Sequence, residues 1–268
     1  MCASTSTGYV RAAAVAGQFY PDDPATLRGL IQACLETTPP WTGPRVKAII
    51  APHAGYLYSG PIAGAAYACF LTERAHVKRI LLLGPAHCVA FTGLASSSAA
   101  RWATPLGEVR LDGESWNLLQ DLPQMRISDE AHEAEHSLEV QLPFLQAVFD
   151  DVQIVPLLVG AASASDVAAV LERLWDGPET RIVISSDLSH YLDHERAGQK
   201  DGETREAIEQ LRPLHEDQAC GCRPINGLME AARRRGLRVQ TLELRNSGDT
   251  AGDRRRVVGY GAWAFLEN

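Results

Sequence analysis

Four short runs of the chain are apolar with few interruptions: Val46–Ala51, Arg79–Gly84, Gln153–Val159 and Arg181–Ser186. Runs of this kind read as strands covered on both faces, the pattern of a parallel sheet sandwiched by helices. Between them the apolar residues fall at helical spacing. Ala25–Glu36 sets Leu27, Leu30, Ile31 and Leu35 on one face. Ser59-Gly60-Pro61 caps a helix through Ile62–Phe70, and Ser137–Phe149 carries a helical pattern with a kink at Pro143. Glu114–Leu122, Ser163–Trp175, the long polar stretch His194–Leu211, and Ile225–Arg235 before Gly236 are further helices. Leu237–Leu244 and Arg256–Phe265 read as the last strands. Shorter extended pieces, Leu94–Ser98, Ala103–Thr104 and Glu108–Leu111, surround Pro105-Leu106-Gly107 and predict a hairpin or edge strands. Strands alternating with helices imply an α/β fold: a mostly parallel mixed sheet between two helical layers, with antiparallel additions at one edge. No repeat or Pro/Ser-rich linker divides the chain, so residues 1–268 read as one domain.

Three of the buried strands stop at a histidine loop. Val46–Ala51 leads to Pro52-His53, Arg79–Gly84 to Pro85-Ala86-His87, and Arg181–Ser186 to Asp187-Leu188-Ser189-His190. In an open α/β sheet, ligands bind at the carboxyl ends of the strands. If the first two strands are neighbours, His53 and His87 project into one cleft, where neutral imidazoles suit Fe, Zn or Cu. Alone, each is better explained by a cap or a backbone-bonded core histidine; the pair together points to a shared polar site. Asp187 and His190, three apart, allow a carboxylate to orient an acid/base imidazole. Glu135, His136 and Glu139 crowd the start of a helix, where His136 can face the cleft; His132 and Glu133 read as solvated charge. Arg245–Gly252 (RNSGDTAG) is either a tight turn or an anion cradle in which Asp249 approaches a metal. Ser185-Ser186 invites a serine-hydrolase reading, but no G-x-S-x-G elbow is present.

Charge narrows the classes. Twenty-five basic against 33 acidic residues leave a net charge of −8, which argues against general binding to nucleic acid or anionic membranes. No apolar run is long enough to span a bilayer, and the N-terminal stretch lacks a leader's apolar core. Six cysteines without a CxxC pair fit reduced thiols in a cytoplasmic protein; Cys220-Gly-Cys222 is too isolated for a four-ligand site.

Several motifs together carry a family resemblance: AGQFYP (Ala16–Pro21), APHAGYLYSG (Ala51–Gly60), LLGPAHCVAFTGLA (Leu82–Ala95), WATPLGEV (Trp102–Val109), EHSLEVQLPFLQ (Glu135–Gln146), ISSDLSHY (Ile184–Tyr191) and RNSGDTAGDRRRVVGYGAW (Arg245–Trp263). In this order they resemble the Memo-like family, also called AmmeMemoRadiSam system protein B. That family is similar in fold to class III (LigB-type) extradiol dioxygenases, which hold non-haem Fe(II) with two histidines and a carboxylate. The resemblance implies metal ligands at His53 and His87 and a catalytic histidine at His190; Asp187 and His136, read from their spacing, join His190 as candidate catalytic residues. It implies Fe(II), with Cu or Zn as alternatives, and partners in an AMMECR-type protein and a radical SAM enzyme. Animal relatives have a cysteine as third ligand, and the resemblance sets Leu244 in that place, leaving Asp187, Asp249, His136 or His190 to complete the set. The expectation is a metal-dependent, oxidative enzyme. A non-catalytic module binding a small molecule, peptide or protein in the same cleft is the alternative, and a hydrolase the third reading.

Overall fold

The apolar runs become the centre of one large sheet. The computed structural model describes residues 8–267; Cys2 and the start of the N-terminal stretch lie outside them. Twelve strands join in the order Val10–Arg11, Arg101–Thr104, Gly107–Leu111, Gln153–Val159, Arg79–Pro85, Thr180–Ser185, Val46–Ala51, Val257–Leu266 and His190–Leu192, with three more strands off this path. From Gly107–Leu111 to Val46–Ala51 every pairing is parallel. Val257–Leu266 then pairs antiparallel with Val46–Ala51, and Arg238–Asn246 antiparallel with Val257–Leu266. The predicted hairpin is Arg101–Thr104 with Gly107–Leu111, turning at Pro105-Leu106.

Period-two alternation sends each central strand's side chains to both faces, and both faces are apolar. Ile49, Ala51, Ile80, Leu82 and Val183 pack with Leu27 and Ile31 of the helix Pro24–Glu36, Ile62 of Tyr56–Ala68 and Leu145 of Leu142–Val148. Ala48, Ile50, Leu81, Leu83, Ile182 and Ile184 pack with Val167 and Leu171 of Ala164–Arg173 and Ile225 and Leu228 of Cys222–Arg235. The result is a three-layer αβα arrangement, as the pattern predicts. Among the described residues, no helix is long and apolar enough to cross a membrane.

Three local differences bear on the site. The helix expected from Ile62 begins at Tyr56, with Pro61 inside it, so helix follows His53 almost at once. Its first amide is secured from outside, Tyr56 N–H donating to the Phe19 carbonyl at 2.8 Å. Ser137–Phe149 is not one kinked helix. It divides into a 3-10 turn, Glu139–Gln141, and the helix Leu142–Val148, where Pro143 sits in the first turn and its missing N–H leaves nothing unpaired. His132 is not solvated: it is 1% exposed, edge-on to Trp102, its Nε2 3.1 Å from the Ala95 carbonyl. Burial lowers its pKa to about 4.

Candidate metal centre

The strands ending in His53 and His87 are not direct neighbours. Thr180–Ser185 lies between and pairs with both. The three histidine-bearing loops therefore issue from three consecutive parallel strands at their carboxyl ends. The middle strand holds its neighbour's loop: Ser186 N–H donates to the Ala51 carbonyl, and His53 N–H donates to Asp187 Oδ1 at 2.8 Å.

His53, His87 and His136 converge. One nitrogen from each lies within 4.8 Å of the others. Ring centroids are 5.3 Å apart for His53–His87, 5.4 Å for His53–His136 and 4.8 Å for His87–His136, the last pair stacked. His190 lines the same cavity, about 630 Å³ in volume, along with Asp187, Tyr191, Lys200 and Cys220.

The surrounding hydrogen bonds fix which nitrogens are free. Ser185 Oγ donates its single proton to the Ser137 carbonyl at 2.6 Å and accepts from Gln141 Nε2 at 2.8 Å. Gln141 is itself held, its Oε1 by Tyr67 and its Nε2 by the Pro52 carbonyl. The contact of 2.9 Å between Ser185 Oγ and His53 Nδ1 therefore needs the proton on His53, which leaves Nε2 as a lone pair. His87 behaves likewise. Its Nδ1 lies 2.9 Å from Glu135 Oε1 and its backbone N–H donates to Glu135 Oε2, so Nε2 is bare. His136 Nδ1 is 3.4 Å from the same Glu135 oxygen. A carboxylate or hydroxyl behind an imidazole sets its tautomer and orientation, as metal-binding histidines require.

Burial and crowding favour the neutral form of His53 and His136. His53 is held well below its ordinary pKa by burial, then by the nearby His87 and His136. His136 is lowered for the same reason, burial foremost. Burial also acts on Glu135, upward, but donors from His87 and Ser137 outweigh it and hold the carboxyl at about 2. Glu135 is thus a charged anchor behind two imidazoles.

The structure separates the remaining candidates. Asp187 is buried and accepts from the His53 backbone; among the described residues no hydrogen bond joins it to His190. His190 is exposed, its ring set edge-on to Tyr191. Asp249 does not line the cavity: it accepts from His194 at 2.6 Å and from Asn246 N–H. The RNSGDTAG stretch is a tight turn, with Gly248 N–H spent on Asn246 and Gly252 N–H on Ser247. Ser185, wholly buried with its proton committed, is no nucleophile.

Leu244, which cannot ligate, stands away from the imidazoles. It pairs with Gly261 on Arg238–Asn246, packs on the core and does not line the cavity. The sulfur there belongs to Cys220, whose Sγ lies 3.4 Å from His53 Nε2. Sequence missed it because the CGC spacing matches no ligand motif and its partner stands 167 residues away. Burial, and then the Asp187 carboxylate, push the Cys220 thiol up to about 12.

Fold and site together define an αβα protein with a three-imidazole cluster at the carboxyl ends of its central strands. The family model described as Memo-like protein matches residues 11–264, and the chain belongs to that family. It is similar to MEMO1 family proteins of archaea. It is 36% identical to MK0963 of Methanopyrus kandleri over 95% of this chain and 98% of that one. The Sulfolobus acidocaldarius protein is also 36% identical, over 94% and 97%, and that of Desulfurococcus amylolyticus 34%, over 95% and 98%.

Proposed function

We propose that this chain is a metal-dependent redox enzyme, with His53, His87 and His136 holding Fe(II), or Cu or Zn in its place, and the cavity admitting the substrate. One observation carries the reading: three imidazoles, two with their Nδ1 held by Ser185 and Glu135, bring a nitrogen each within 4.8 Å. His53 is buried, His136 half-buried and His87 exposed toward the cavity, so the cluster is open to an entering ion, and borderline divalent metals are the partners that converging imidazole nitrogens favour. Cys220 would add a soft donor beside His53, and metal binding would remove the proton that burial keeps on its sulfur. When bound, iron or copper would supply Lewis acidity and a one-electron couple, and zinc Lewis acidity alone. The protein's own part is to exclude charge from the imidazoles, fix their tautomers through Glu135 and Ser185, and present His190 as the exposed group that gives or takes a proton. The family resemblance adds an AMMECR-type protein and a radical SAM enzyme as the proteins it works with.

The test is elemental analysis of anaerobically purified protein. Wild type is expected to carry close to one iron per chain, and His53→Ala and His87→Ala to lose it while still unfolding cooperatively. Unchanged metal content in both variants sinks the reading. A second reading, a non-catalytic binding module in the same cavity, is favoured by His190 standing without Asp187 behind it. Capture of a radical SAM partner equally by wild type and His190→Ala, with no metal in either, would select it.

A further inference from the structure

Away from the imidazoles, the cavity wall is formed by the strand His190–Leu192, the helix His194–Glu209 and the turn His215–Gln218. Among the residues lining it, Lys200 is the one lysine, and no arginine lines it. A second groove of about 460 Å³ runs along the same helix, lined by Arg196, Gln199, Lys200 and Glu203, with His215, Asp217 and Gln218 opposite. Positions 196, 199, 200 and 203 form one stripe of an α-helix. Leu192, Lys200 and Asp217 line both spaces, so the two meet at the Lys200–Asp217 ion pair, Nζ to Oδ2 at 2.6 Å.

The other carboxylates of the cavity are already employed. Asp187 accepts from the His53 backbone, and Glu216 pairs with Arg223. Asp217 differs. Its side chain is 73% exposed, much as that of Glu216 is at 75%, but its partner Lys200, 26% exposed, itself lines the cavity whereas Arg223 does not. The turn that carries Asp217 is fastened by Gln218 rather than by Asp217 itself. Gln218 Oε1 accepts from His215 N–H, and its Nε2 donates to Thr204 Oγ1. The Asp217 carboxylate can therefore swing off Lys200 without loosening the turn, and exposed pairs of this kind are weak.

We propose that Lys200 is the recognition point for an anionic group of the substrate, and that Asp217 occupies it as an internal stand-in until substrate arrives. The substrate is then an elongated organic anion. Its reacting end reaches the imidazoles, its carboxylate or phosphate displaces Asp217 from Lys200, and the remainder lies along the Arg196–Glu203 stripe. This rests on the cavity being the substrate site, as proposed above, but not on which metal fills it.

Calorimetric titration of the full-length chain with inorganic phosphate, and separately with malonate, tests this at neutral pH and low salt. Asp217→Asn is expected to bind the preferred anion about three-fold more tightly than wild type, and Lys200→Met to lose most of that binding. Which anion responds tells phosphate from carboxylate. Affinities unchanged among the three proteins, or no binding of either anion to Asp217→Asn, overturn the proposal. Cobalt(II) uptake, followed by its visible absorption, is run on the same proteins. Neither substitution should alter it, and failure of wild type to take up cobalt would count against the metal centre without touching the anion result.

Discussion

At the scale of single residues, Asp201 shows how the fold sustains the His190 strand. It is 2% exposed, its Oδ1 accepts from Ser189 N–H, and a Cβ at position 259 would fall 2.0 Å from its Oδ2, so Gly259 provides its room. Burial raises its pKa to about 6, from 3.8. Between those values the folded chain holds more protons than the unfolded one, so this group's contribution to stability falls as pH rises through about 4 to 6. Asp201→Asn should remove that slope and stabilise the protein by on the order of 1–2 kcal/mol at pH 7. Urea unfolding of both proteins from pH 4 to 7 checks it; parallel pH profiles would refute the assignment. Residues also show where sequence stops being readable. His53 and His87 stand out because apolar runs break at them. His132 reads as solvated charge and Glu135 only as one of several groups crowding a helix start, yet both are buried because Glu135 gains donors from distant His87 and His132 an acceptor at Ala95. No local pattern encodes such partners.

Elements show the same division. The central strands and their flanking helices follow from periodicity, since each apolar run has one structure that buries it. The segment from His132 to Gln141 does not, because its shape is dictated by an arginine far upstream. Arg11 is 2% exposed, bonds Glu139 at 2.6 Å and donates to the carbonyls of His132 and Glu135. Glu139 in turn accepts from Ala14 and Val15 N–H and from the Tyr20 hydroxyl. One buried pair thereby pins the N-terminal segment to the turn that presents Glu135 and His136. Removing one member leaves an uncompensated charge, and Arg11→Met should cost about 3–5 kcal/mol of stability. Denaturant midpoints measure this, and a loss below about 1 kcal/mol would mean the pair is not holding the segment.

For the whole molecule, the order of strands decides the site. Residues 53, 87 and 136 come from separate stretches, and only the sheet's connectivity brings them together; apolar patterning predicts parallel strands but not which lie side by side. A ligand that binds only the assembled cluster must stabilise the whole fold. At about a hundred times its dissociation constant, a divalent metal should add ~2.7 kcal/mol to the unfolding free energy. Chelation should reverse the gain, and His53→Ala should show none of it. A wild-type unfolding curve indifferent to metal would show that no folded-state site exists.

Thr180–Ser185 is flanked by hydrogen-bonded neighbours on both sides and roofed by both helical layers, and it is the strand to which the His53 loop is moored. Its amides should be among the last to trade their hydrogens for deuterium, long after the hairpin near Pro105 has done so. The imidazole corner is thereby anchored to a strand held on both sides, and local breathing at the sheet's rim should leave the spacing of its nitrogens undisturbed.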